Sequence, residues 1–140
     1  MKEVISINRL AKIPTEGGDV MHGLKSFDNS YDGFGEVYFS WISKNYIKGW
    51  KRHTKMTMNL IVPYGSVRFV FFESKKQNYT NKIIGVENYV RITVPPGIWF
   101  AFQGLYSSQS LVVNIANIPH DRKEVEKKPL NYFDFNWSKS

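Results

Sequence analysis

Lys51 and His53 are the side chains best suited to move a proton in this chain, which has only three histidines. They lie two residues apart in KGWKRH, so an extended strand turns both to one face. Imidazole titrates near neutral pH. A lysine amine becomes a base where burial or a neighbouring cation lowers its pKa. The pair therefore reads as a candidate proton-transfer couple. The plainer reading is a solvated lysine beside a hydrogen-bonded structural histidine. Met58, Leu60 and Val62 carry a period-two apolar pattern onward from this stretch.

A second polar set lies upstream in GEVYFSWI. There Glu36, Tyr38 and Ser40 share one strand face, and Val37, Phe39 and Trp41 share the other. Glu36 is a carboxylate able to orient Lys51 or His53, or simply an exposed strand charge. Arg68, in the strand-like run SVRFVFFE, can reach a phosphate or form a cross-strand ion pair. Trp41, Trp50, Trp99, Phe100 and Phe102 read mainly as core or interface, with one or two able to stack on a base or sugar face.

Composition narrows the partners. Net charge is +7 and the pI about 9.6, which suits anionic ligands, a phosphate-bearing small molecule first. The lysines are scattered among acids, so nucleic-acid binding is a distant option and is not expected. Cysteine is absent, which excludes disulfides and thiolate metal sites and is compatible with a cytoplasmic location. MKEVISINRLAKIP lacks the apolar core of a signal peptide. No apolar run approaches the roughly 20 residues that span a bilayer, so no membrane insertion is expected.

The elements that must position these residues are short strands separated by turn formers. Strands are expected at 35–42, 47–53, 58–65, 66–73, 89–94, 98–105 and 111–118. Residues 75–82 read as a polar loop, and 121–128 as the one plausible helical turn, near the C-terminus. Such spacing points to an all-β fold, an antiparallel β-barrel or jelly roll. One domain is expected over 1–140: an arm or edge strand at 1–16, a barrel core at 17–118 and a tail at 119–140.

The order of motifs resembles the cupin superfamily. Gly49, Lys51, His53, Met58 and Gly65 follow the spacing of its first motif, and Pro95-Pro96-Gly97 with Phe100 follows the second. Within it the chain is similar to the dTDP-4-dehydrorhamnose 3,5-epimerases and the dTDP-sugar 3,4-ketoisomerases. KGWKRH resembles their RGLHxQ and RGFHAH, VPPGIWFAFQGL their proline-glycine strand, and NYFDFNW the epimerase ending.

The resemblance implies positions for each role. The four cupin metal-ligand positions read Lys51, His53, Met58 and Phe100, short of the three N or O ligands usual for zinc or iron. No metal and no cofactor are therefore expected. The epimerase base falls on Lys51 and its tyrosine near Val113; its aspartate has no clear counterpart in KKPLNYFDFNW. In the isomerase pattern Lys51 and His53 take the HxH pair. Lys48 matches a substrate-binding arginine, and Glu36 and Tyr38 lie on the strand matching the substrate-binding strand. The expected activity is metal-independent proton transfer on a 4-keto nucleotide-diphosphate sugar, in surface polysaccharide biosynthesis, by a homodimer. The changed catalytic positions motivate the alternative, a non-catalytic cupin that binds a sugar nucleotide or a partner biosynthetic enzyme.

Overall fold

The structure is a computed structural model describing residues 4–138. Twelve strands dominate it: β1 (Ser6–Arg9), β2 (Lys12–Ile13), β3 (Val20–Met21), β4 (Glu36–Ser43), β5 (Ile47–His53), β6 (Met58–Tyr64), β7 (Ser66–Glu73), β8 (Asn78–Gly85), β9 (Val90–Val94), β10 (Trp99–Gly104), β11 (Gln109–Ala116) and β12 (Val125–Lys127). Two five-stranded sheets carry the fold, in the orders β1-β9-β6-β11-β4 and β12-β5-β10-β7-β8. β2 and β3 form a small separate ribbon. All listed ladders are antiparallel. This is the expected jelly-roll type.

Alternation on each strand builds the core between the sheets. Met58, Leu60 and Val62 of β6 meet Val67, Phe69 and Phe71 of β7, Ile92 of β9, Phe100 of β10 and Val112 of β11. The opposite faces diverge. Behind the second sheet, Trp50, Val70, Phe72, Trp99 and Ala101 form a separate cluster covered by Phe133, Phe135 and Trp137 of the tail. Gly65 closes the β6–β7 hairpin at φ +90°, and a Cβ there would lie 2.3 Å from Ser110 Oγ. Only glycine fits both demands.

Two expectations about elements change. The stretch read as a polar loop at 75–82 is mostly strand: β8 begins at Asn78 and pairs with β7 along its whole length. Its polar residues mislead because β8 is an edge strand with one face in water. The helical turn expected at 121–128 shrinks to a 3₁₀ turn at Arg122–Glu124, capped by Asp121 accepting from Lys123 N. The rest becomes β12, hydrogen-bonded to β5. The N-terminal arm supplies an edge strand, β1, against β9.

Candidate active site

The site lies where β4 of the first sheet and β5 of the second face one another across the barrel interior. On β5 the register runs Lys51 opposite Phe100 and then, past an irregularity, Lys48 opposite Phe102. Between those pairs, Gly49 and Trp50 oppose Ala101 alone, which is the geometry of a bulge. The extra residue resets the alternation. Lys48 and Lys51, three apart, thus both lie on the side of Phe100 and Phe102, while Trp50 packs on the outer face. Strict period-two counting from Lys51 would have placed Lys48 with Trp50.

His53 is buried, with its ring stacked near-parallel to Phe100 at 5.9 Å between centroids. Its Nδ1 forms a short ion-paired hydrogen bond with Glu124 Oε2. Glu124 is 2 % exposed. Its other oxygen accepts from Met56 N at 2.9 Å and Lys55 N at 3.1 Å. Burial alone would push the carboxyl up. The hydrogen bonds from His53, Met56 and Lys55 outweigh it and hold Glu124 below the ordinary carboxylate range. A carboxylate fixed in this way holds a proton on Nδ1 and leaves Nε2 as the ring nitrogen free to exchange one.

Tyr38 stands on the opposing sheet. Its hydroxyl accepts from Asn114 Nδ2 at 2.9 Å and lies 3.8 Å from Met56 Sδ. Burial raises its pKa, and the negative charges of Glu36 and Glu124 add to that against the Asn114 bond. Tyr38 is therefore a phenol, able to donate. Asn114 Oδ1 is buried and has no hydrogen-bond partner among the described residues. It is an acceptor left open beside Tyr38.

The mouth is cationic. Lys127 on β12 lies directly opposite Lys51, so the two side chains share a face with His53 and Phe100. Desolvation, then the charges of Lys127 and Lys48, lower the Lys51 pKa. Lys48 Nζ donates to Trp41 O at 2.9 Å and sits 5.9 Å from the Phe102 ring.

The structure thus brings together His53, Lys51, Lys48 and Tyr38. Glu36 shares the Tyr38 face but accepts from His120 N at 2.8 Å. It pins the chain after β11 rather than bonding to Lys51 or His53. Arg68 does not join the group. It points to the outer side of β7 with Val70 and Phe72, and its Nη1 donates to Asn81 at 3.2 Å. The residues between Val67 and Phe71 that face the barrel are apolar.

Glu124 is the functional residue missed by the sequence reading. Its partner lies 71 positions away, and DRKEVEKK reads as an ordinary charged turn. The one available signal was a cap-forming aspartate before it. Among the described residues, no three His, Cys, Asp or Glu side chains come together as a metal-binding group. No helix is long and apolar enough to cross a membrane.

Two packed jelly-roll sheets with an inward histidine, lysine and tyrosine define a cupin of the nucleotide-sugar type. A dTDP-sugar isomerase from Desulfovibrio desulfuricans G20 is 31% identical, with a TM-score of 0.93 over 99% of this chain and 93% of that one. The chain accordingly belongs to the family of dTDP-sugar isomerases and dTDP-4-dehydrorhamnose 3,5-epimerase-like cupins. Two more distant structures share the fold. A sugar 3,4-ketoisomerase from Thermoanaerobacterium thermosaccharolyticum, in complex with TDP, is 18% identical, with a TM-score of 0.75 over 89% of this chain and 88% of that one. A dTDP-4-dehydrorhamnose 3,5-epimerase from Sulfolobus tokodaii is 17% identical, with a TM-score of 0.82 over 96% and 82%. No protein-family model matches the chain, and comparison with curated proteins gives no match.

Proposed function

We propose that the protein catalyses metal-independent proton transfer at carbon beside the 4-keto group of a nucleotide-diphosphate sugar. The observation that carries this reading is the His53–Glu124 pair, a buried imidazole held by a charged carboxylate and facing the barrel interior. His53 Nε2 takes the proton from carbon, and Glu124 stabilises the resulting imidazolium. Tyr38, from the other sheet, delivers or receives a proton on the second side of the substrate. General acid–base groups so placed are worth about 10²–10⁴-fold in rate. Lys48, Lys51 and Lys127 give the mouth the positive charge that a diphosphate needs. Membership in a family whose relatives act on dTDP sugars supports the substrate class.

The direct test is incubation with dTDP-4-keto-6-deoxyglucose in deuterium oxide, followed by NMR. Deuterium is expected at carbon adjacent to the ketone, and His53→Ala should abolish it. Binding without any incorporation, across dTDP, GDP and UDP 4-keto sugars, would leave the protein a non-catalytic binder.

The same reading includes a homodimer formed through the outer face of the first sheet. There Val37, Phe39 and Trp41 line up with Ile115, Val113 and Leu111, and Trp41 meets Tyr64 edge-on at 6.5 Å. Phe39 is 62% exposed and Trp41 51%, an apolar surface of the kind that marks an interface. Phe39→Glu should halve the mass seen in sedimentation. A wild-type monomer would remove the dimer from the proposal.

A further inference from the structure

Lys51 is the one position at which this chain's site carries a primary amine beside the dyad. On β5 and β12 it is flanked by the like charges of Lys48 and Lys127. Among the described residues it makes no hydrogen bond or ion pair. Its neighbours differ. Lys48 donates to Trp41 O, and Lys128 lies 4.8 Å from the Tyr132 ring. Arg52, on the outer face of the same strand, is bound to Glu126 at 2.8 Å. Lys51 is also two residues from His53 and directly opposite Phe100, whose ring stacks on that histidine. An unpaired amine among cations favours its neutral, nucleophilic form. An uncharged amine facing a site for ketones has an obvious electrophile.

We propose that Lys51 captures the 4-keto carbon of the sugar nucleotide as an iminium, and that His53 works on the carbon next to it. This rests on the function proposed above and deepens it. The Nζ lone pair adds to C4, the C4–O π pair moves to oxygen, and a proton from Nζ passes to that oxygen, giving a carbinolamine. The hydroxyl takes a proton from the Tyr38 phenol and leaves as water, and C4 is left doubly bonded to a positively charged nitrogen. His53 Nε2 then removes the proton from C3. The C–H pair becomes the C3–C4 double bond, and the C4–N π pair returns to nitrogen. Return of a proton to C3 restores the iminium, with inversion if it arrives on the other face. Water adds, its surplus proton returns to the Tyr38 oxygen, and Lys51 is released. No oxidant or reductant is consumed.

The route also selects an outcome. Moving the ketone to C3 would require a proton on C4, leaving C4 joined to Nζ as a secondary amine that cannot hydrolyse. Iminium capture therefore commits the site to exchange and inversion beside C4 and not to a 3,4-ketone shift.

The experiment uses the full chain with dTDP-4-keto-6-deoxyglucose and three readouts. Sodium cyanoborohydride, which reduces iminium ions in preference to ketones, should fix the nucleotide sugar on the peptide containing Lys51. Oxygen-labelled water should enter the C4 carbonyl faster than in buffer alone. Deuterium exchange at C3 should fall to the uncatalysed level in Lys51→Arg, which keeps the charge but cannot form the iminium. Deuterium exchange by the wild type, with neither adduct nor accelerated oxygen exchange, overturns iminium capture and leaves the proton-transfer function standing. Absence of all three signals overturns both. An adduct at Lys51 without carbon exchange keeps the capture and removes the proton transfer. The wild-type adduct and oxygen readouts decide the matter even if Lys51→Arg does not fold.

Discussion

Strand β5 carries two unlike faces on one backbone. Its inner face presents Lys48, Lys51 and His53 to the barrel; its outer face presents Trp50 and Arg52 to the tail. The inner face is polar, and its key group is held by a single buried carboxylate. The outer face is held by many weak contacts. Trp50 meets Phe133 edge-on at 5.0 Å and donates from Nε1 to Leu130 O at 3.0 Å, and Phe72 lies 4.5 Å from Phe133. One stretch of chain serves both faces. After β11 the tail delivers Glu124 inward, pairs as β12 along β5, and then wraps Phe133, Phe135 and Trp137 over the outer aromatics. The difference teaches that the site depends on a directional contact, which fails whole, and on an apolar strap, which fails by degrees.

The sharpest way to separate the two faces is His53→Asn. Solvent-deuterium exchange should fall by about 10²–10⁴-fold, with far-ultraviolet circular dichroism unchanged. A variant with normal exchange would place the chemistry elsewhere.

Glu124→Ala comes next. It strands the His53 ring and the Met56 and Lys55 amides, and should cost about 3–5 kcal/mol in urea unfolding. Glu124→Gln should keep much of the stability while lowering kcat with little change in KM. Equal kcat in Glu124→Gln and the wild type would make the carboxylate purely structural.

Phe133→Ala tests the outer face. Losing a half-buried ring should cost about 2 kcal/mol, with activity close to wild type at temperatures where the protein stays folded. A large loss of kcat in the folded variant would mean that the strap positions Glu124 more strictly than the contacts indicate.

The smallest effect is on pH dependence. The Glu124 carboxyl has a depressed pKa in the folded state. Its stabilisation is therefore fully present above the ordinary carboxylate pKa and is lost as pH falls through the lower, folded value. Melting temperature should drop on the acid side of about pH 4.3, and Glu124→Gln should flatten that limb. An unchanged acid limb would count against the charged form.

Much of this was legible in the sequence because it is local. Alternation in GEVYFSWI assigned Tyr38 and Trp41 to opposite faces, and alternation in IWFAFQ separated Phe100 from Trp99, as the two core clusters confirm. β8 was not legible, because an edge strand with one wet face has a loop's composition. Nor was the fate of Arg68: its strand was assigned correctly, but the barrel-facing side of that strand is taken by Val67, Phe69 and Phe71.

The sequence by itself determined the all-β class, the strand faces and the family, since these follow from period-two patterning and from motifs within short windows. Only the tertiary structure decided the site. The bulge at Gly49 and Trp50 turned Lys48 inward, and the return of the tail along β5 set Glu124 against His53. Both depend on pairing between distant segments, where a one-residue change of register moves a side chain from one face of a sheet to the other.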